Sequence, residues 1–400
     1  MRETHTHAWV GIDAGKGHHW AAVVDEAGLI VWSHKIINDE TTILHALSEI
    51  LVLADELHWA VDISGTSSTL LLALLAAHDQ SAVYVPGRTV NRMSGAYRGE
   101  AKTDARDAYV IAETARHRHD LSVLIPPAQL AAELALLTSH RTDLVADRVR
   151  LINRLRDTLT GVFPALERAF DFGRHKGALV LLTGFQTPRA IRRRGRTRLS
   201  LWLGKRGVRG ADGVAEIAWE AASAQNVVLP GEAVAAQLVA DIADRVLAVD
   251  VQLARIDAQI GETFRRHPQA AVIESMPGIG PILGAEFVVA AGDMSAYSDA
   301  GHLASAAGLV PVPRDSGRRT GNTHRPKRYS RRLRRVFYLS AQTSIIKDGP
   351  NREFYLKKRS EGMRHVQAVI ALARRRVNVI WALLRDDRLF IVDAPALRTA

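Results

Sequence analysis

Apolar runs of strand length come three in succession at the start of this chain, and only then alternate with helical spacing. His7 to Asp13 (HAWVGID), His19 to Val24 and Leu29 to Ile37 read as strands, the last two separated by the turn signal Asp25-Glu26-Ala27-Gly28. Ile43, Leu44, Leu47, Ile50, Leu51 and Ala54 then give a helical pattern from Thr41 to Leu57. Trp59 to Ile63 (WAVDI) is a fourth strand, followed by a helix from about Thr66 to Ala77. Ala82 to Pro86 is a fifth strand, and a helix runs from about Thr103 to His117. The segment reads as an α/β domain.

Acids occupy particular places in that order. Asp13 closes the first strand, Asp62 closes the fourth, and Asp104 and Asp107 begin the last helix, where a three-residue spacing puts both on one face. Asp62 stands among Trp59 and Val61, where an unpaired acid is costly. The element order resembles the ribonuclease-H-like (RuvC-like) fold. That architecture carries metal-binding carboxylates on its first strand, at the end of its fourth and on its final helix. Four converging carboxylates repel one another unless a cation joins them. Their oxygens suit Mg²⁺. Two such ions about 3.5–4 Å apart can hold the attacking and leaving oxygens of a phosphoryl displacement. Taken singly, three of the acids have ordinary readings. Asp107 can be a solvated helix residue, Asp104 a charge favoured by the helix dipole, and Asp13 a turn residue. GIDAGKGHHWAAVVDEAGLIV is also similar to the Asp-x-Gly phosphate hairpin of sugar kinases and actin-like ATPases, but no clear second Asp-x-Gly-Gly loop follows.

After Pro127 the pattern is helical. Leu130 to Leu159 and Ala233 to Phe264 are long amphipathic segments, and the heptad-like spacing of the first lets them pair as a coiled coil within or between chains. Between them lies a basic segment with Gly and Pro breaks. The expected division is 1–125, an α/β catalytic domain; 126–268, a helical coiled-coil region with a basic insertion; and 269–400, a mostly α C-terminal domain.

The net charge of +11 is localised. Pro188 to Arg209 holds nine Lys/Arg and no acid, and Pro311 to Arg335 holds ten with one acid, Asp315. Such blocks point to a polyanion, most often nucleic acid. The chain has no cysteine, which removes disulfides, thiolate zinc sites and cysteine nucleophiles. Its longest clean apolar run, Leu70 to Ala77, is too short to span a bilayer, and MRETHTHAWVGID lacks the apolar core of a signal peptide. A soluble, cytoplasmic protein is expected.

The last third adds two further motifs. MPGIGPILGAEF resembles a helix-hairpin-helix element whose Gly278 and Gly280 let backbone N–H groups approach a phosphate. GLVPVPRDSGRRTGNTHRPKRYSRRLRR then joins a Pro/Gly loop to a basic helix. Arg314, Arg318, Arg319, Lys327, Arg328, Arg331, Arg332 and Arg335 are its candidate phosphate contacts.

Together, Asp13, Asp62, the Asp104-x-x-Asp107 pair in KTDARDA, the PGIGP hairpin and GLVPVPRDSGRR resemble the DEDD transposases of the insertion-sequence "one-ten" family, relatives of the pilin-gene invertases. One departure is visible: the family's second acid is usually glutamate, and here it is Asp62. The resemblance implies a recombinase that excises and inserts an element, often through a circular intermediate. It implies a RuvC-like acidic site binding Mg²⁺, and a C-terminal serine that attaches covalently to DNA, which by motif is Ser316. It also implies a guide RNA encoded by the element, a homo-oligomer (dimer or tetramer), and a nucleoid-associated location in a bacterium. A serine hydroxyl needs activation to act as a nucleophile. His324 lies eight residues away, so ions at the acidic site are the better activators. The alternatives are a RuvC-like junction nuclease without serine chemistry, or a non-catalytic nucleic-acid-binding protein in which Ser316 merely caps a turn.

Overall fold

The computed structural model describes residues 5–62, 66–95, 103–124, 129–316 and 320–391. Two compact units divide the chain, Met1–Pro127 and Ala128–Ala400.

The first unit is built on a six-stranded mixed sheet. Its strands are β1 (His5–Ala14), β2 (His18–Val24), β3 (Ile30–Ile37), β4 (Ala54–Val61), β5 (Ala82–Tyr84) and β6 (Ser122–Leu124). The spatial order is β3-β2-β1-β4-β5-β6. β1, β2 and β3 form an antiparallel meander, β4 and β5 run parallel to β1, and β6 returns antiparallel to β5. Four helices connect the strands: α1 (Glu40–Ile50), α2 (Thr69–Ala77), α3 (Gly87–Ser94) and α4 (Asp104–His117).

Alternation along β1 separates two cores. Ala8, Val10, Ile12 and Ala14 join Ile43, Leu47, Trp59 and Leu71 on one face. On the other, Trp9 and Ala60 pack with Val110, Ile111 and Ala115 of α4. Gly11 sits where α4 crosses the sheet. A Cβ there would lie 2.1 Å from Ala108 O and 2.2 Å from Ala112 N, so only glycine admits the helix this close.

Three details of this unit differ from the sequence expectation. The helix expected to reach Leu57 stops at Ile50, because residues from Ala54 onward hydrogen-bond along β1, beginning with Ala54 opposite His5. Helical spacing of Ala54 with Leu51 competes with a ladder and loses to it. The short helix α3 and strand β6 carried too few apolar positions to register. Ile63, expected to end the fourth strand, lies outside the described residues.

The second unit is almost wholly helical. Two 34-residue helices, α5 (Gln129–Val162) and, later in the chain, Glu232–Arg265, run antiparallel. Arg141 pairs with Asp257 and Arg148 with Asp250, one heptad apart on each helix, and Arg266 reaches Glu133 at the end. The basic segment between them is helical too: α6 (Pro164–Ala169), α7 (Lys176–Gly184), α8 (Pro188–Arg194), α9 (Arg196–Gly204) and α10 (Ala211–Ser223), with Glu232–Arg265 following as α11. These close one core around Phe163, Leu182, Leu203 and Ala218.

A second core gathers around Phe264, Phe287, Phe337 and Val377. It is formed with α12 (Ala270–Ser275), α13 (Pro281–Ala291), α14 (Ala300–Ala306), α15 (Arg331–Ser344), α16 (Pro350–Ser360) and α17 (His365–Arg385). Among the described residues no helix is long and apolar enough to cross a membrane.

Candidate active site

Asp13 shares the α4 face of β1 with Gly11, two residues before it. The β1–β4 ladder pairs Ile12 with Val61 and goes one step further, Asp62 N–H donating to Ile12 O at 3.4 Å. Asp62 therefore stands level with Asp13 at the carboxyl end of the sheet, on the side of Ala60. Its Oδ1 accepts a hydrogen bond from Ala14 N–H at 3.2 Å. Burial raises the Asp62 carboxyl above its ordinary range. The backbone N–H groups of Ala14 and Asp62 oppose that rise, and the nearby charge of Asp107 adds to it.

The other two acids come from the first turn of α4. Thr103 caps that helix, its hydroxyl accepting from Arg106 N–H at 3.3 Å. Because α4 crosses β1 at Ala108 and Ala112, its first turn overlies the carboxyl end of the strand. The charge of Asp107 reaches Asp62, and Asp104 Oδ2 lies 3.1 Å from His18 Nε2 at the start of β2. His18 is a neighbour of this constellation that the sequence reading missed. Its contact with Asp104 spans 86 residues, and nothing local announces it.

Among the described residues, three or more ligand atoms within 4.8 Å of one another occur at His7, Glu56 and His58. The aspartates are spaced more widely than that. What the fold brings together is two level strand ends and one helix start, with Asp62 coupled to Asp107.

Ser316 belongs to a hairpin of the second unit. β7 (Val312–Pro313) pairs with β8 (Thr323–His324), and Arg314 N–H donates to Asn322 O at 2.7 Å. Asp315 Oδ1 accepts from Asn322 N–H at 3.0 Å, fixing the residue before the serine. Ser316 itself is exposed. The backbone of His324 pairs in the β7–β8 ladder opposite Val312. Arg314, Lys327 and Arg328 line a cavity of about 440 Å³ with His324 and Arg325. Arg318 and Arg319 lie outside the described residues.

Other expected phosphate contacts already have protein partners. Arg332 donates to Thr138 Oγ1 at 2.6 Å, and Arg335 pairs with the buried Glu286. Arg331 is exposed and lines a further cavity with Arg141. Gly278, at φ +81°, has a packing reason to be glycine: a Cβ would meet Ser340 O of α15 at 2.6 Å. Gly280 precedes α13 with open space around it. Beneath this turn between α12 and α13 the buried Arg376 guanidinium donates to Pro277 O and Ser340 Oγ, and burial lowers its pKa to about 10.

Two family models match the chain. A family model described as transposase, that of the IS110 DEDD enzymes, matches residues 10–164. A second, described as transposase of the IS116/IS110/IS902 family, matches residues 270–356. A 44.8 kDa protein of insertion element IS116 from Streptomyces clavuligerus is 61% identical over 400 residues, the whole of both chains. The chain belongs to the IS116/IS110/IS902 transposase family. A 42 kDa protein of insertion element IS900 from Mycobacterium paratuberculosis is 50% identical across 98% of each chain. The pilin gene-inverting protein of Moraxella bovis is 27% identical over 147 residues, 34% of this transposase and 45% of that protein. Membership of the family brings transposase activity, and with it DNA as the partner.

Proposed function

We propose that this transposase excises and inserts its element by phosphoryl transfer at the carboxyl end of β1 and β4, with Asp13, Asp62, Asp104 and Asp107 holding Mg²⁺, as one ion or two. The observation that carries this reading is the juxtaposition of Asp13 and Asp62 on level strand ends beneath the first turn of α4, with Asp62 coupled to Asp107. The donor set fits: it is all carboxylate oxygen, which hard cations prefer. When bound, the cation supplies charge neutralisation for the transferring phosphate. The protein holds the four carboxylates in place through the β1–β4 ladder, the Thr103 cap and the close crossing at Gly11. The strand order β3-β2-β1-β4-β5 supports a RuvC-like catalytic domain over 1–125.

The same reading gives Ser316 the role of nucleophile. Its Oγ forms an ester bond to phosphorus as a strand oxygen departs with the bonding pair, and the hydroxyl proton ends on that oxygen by way of a base. Exposure of Ser316, two residues from Arg314 of the basic cavity, supports this role. An element-encoded guide RNA, a homo-oligomeric assembly and a nucleoid-associated cytoplasmic location belong to this proposal. So do a coiled-coil role for α5 and α11 within 126–268, and a helix-hairpin-helix role for residues 270–291 within 269–400. The heptad-spaced ion pairs support the first of these.

The test is co-expression with native flanking DNA and detection of excised circular junctions. Wild type yields junctions, whereas Asp13→Ala and Ser316→Ala yield none. Ser316→Ala also loses any covalent protein–DNA adduct. Junctions surviving Ser316→Ala would remove the serine from the mechanism and leave metal-dependent strand transfer with a DNA hydroxyl as the nucleophile.

A further inference from the structure

The amino end of the same two strands carries a second ligand set. His7 and Glu56 are direct partners in the parallel ladder, and His58 follows two residues on, opposite Trp9. All four side chains face the α4 side of the sheet, by the alternation that places Trp9 and Ala60 there. His7 Nδ1 lies 3.2 Å from Glu56 Oε2, and His58 Nε2 lies 3.8 Å from Glu56 Oε1.

The rings are held in a stack. His58 lies on Trp9 at 5.2 Å between centroids and on His7 at 5.8 Å, with interplanar angles of 24° and 22°. His7 Nδ1 is sealed from solvent and, despite its short distance to Glu56, makes no hydrogen bond of good geometry. It is a buried nitrogen aimed at a carboxylate without a well-formed bond.

We propose that His7, Glu56 and His58 form a binding site for a borderline divalent cation of the zinc class. Two imidazole nitrogens and one carboxylate oxygen are a familiar zinc donor set. A tetrahedron with bonds near 2.0–2.1 Å puts its ligand atoms about 3.3 Å apart. The His7–Glu56 separation already matches, and the set is completed when the His58 ring turns out of its stack toward Glu56, from which its Nε2 lies 3.8 Å. Nitrogen donors select against Mg²⁺, so this site and the aspartates take different ions. With the three residues half-exposed or exposed, the fourth position is open to water. A bound ion cross-links β1 to β4 and stabilises the sheet. His7 and Asp13 are six residues apart, about 20 Å along a strand, so this cation does not touch the phosphoryl-transfer site. The inference is independent of the proposed chemistry there.

The test is calorimetric titration of metal-free full-length protein with Zn²⁺, in saturating Mg²⁺ to occupy the carboxylates. Wild type shows one site that His58→Gln and Glu56→Gln lose, or hold at least about tenfold more weakly. Zn²⁺ raises the melting temperature of wild type and not of these variants. Co²⁺ gives wild type the visible bands of tetrahedral nitrogen and oxygen ligation, absent in Glu56→Gln. If His58→Gln does not fold, Glu56→Gln decides. Equal zinc affinity and stoichiometry in wild type and folded variants overturns the proposal and leaves a carboxylate bridging two imidazoles.

Discussion

The two ends of β1 and β4 share strands, ladder and face, yet they differ in every property that matters to a cation. At the carboxyl end the donors are carboxylates, one of them half-buried and pushed toward its neutral form by its surroundings. At the amino end they are imidazoles around one glutamate, stacked on an indole. The sheet supplies spacing alone, and side-chain chemistry decides which ion that spacing suits. The carboxyl end also has a third element over it, because Gly11 lets α4 lie against the strand and deliver Asp104 and Asp107.

Breaking that crossing produces the largest expected effect. In Gly11→Val the new side chain meets Ala108 and Ala112 backbone at once, for a destabilisation of about 3 kcal/mol. Junction formation falls further than the folded fraction, because displacing α4 parts Asp107 from Asp62. Denaturant melts set against junction yield check this. Zinc uptake by the remaining folded protein stays intact, since His7, Glu56 and His58 lie on the strands alone.

Trp9→Leu sharpens the other side of the comparison. Removing the indole frees the His58 ring and costs about 1 kcal/mol of stacking. Zinc binding measured by calorimetry weakens by up to about tenfold, while junction yield per folded molecule is unchanged.

A pH experiment isolates Asp62. Its folded carboxyl titrates above the unfolded one, so the folded state holds the extra proton between the two values. Stability is therefore lost as pH rises from the ordinary carboxylate range through the raised one. Asp62→Asn removes that penalty. Without divalent cation the variant melts above wild type at neutral pH, and the difference shrinks as the solution is acidified. With Mg²⁺ the order reverses, because wild type gains a ligand and the variant does not. Thermal scans across pH, with and without Mg²⁺, check both signs.

The smallest effect belongs to His18→Gln. The His18–Asp104 pair is exposed on both sides, and such pairs contribute 0 to about 1 kcal/mol. A melting temperature near wild type is expected. A large drop would mean that His18 holds α4 in place, which the Gly11 crossing is argued to do.

Some of this was legible in the sequence and some was not, for identifiable reasons. Asp13 and Asp62 could be placed because apolar runs of strand length lead into them, and β1 and β4 reach Ala14 and Val61. The three-residue spacing of Asp104 and Asp107 at a helix start is equally local. Gly11 could have been flagged, since a glycine inside an apolar strand marks a close approach. Ala108 and Ala112, four residues apart on the last helix, are the matching small surface. The His7–Glu56–His58 set was hidden, because Glu56 was assigned to a helix that ends at Ile50. Only the register of β4 against β1 reveals that His7 faces Glu56. Partners of Arg332 and Arg335 were equally out of reach, since Thr138 and Glu286 are distant in sequence and charge alone suggests solvent or phosphate.

The most direct test of the account sets the two ends against each other in one assay. Excised circular junctions are counted in cells carrying the native flanking DNA with wild type, Asp62→Ala or His58→Gln. The account predicts junctions from wild type and His58→Gln at comparable yield, and none from Asp62→Ala. Junctions from a stably expressed Asp62→Ala would contradict it, because the carboxyl end of the sheet would then not be where strands are cut and joined.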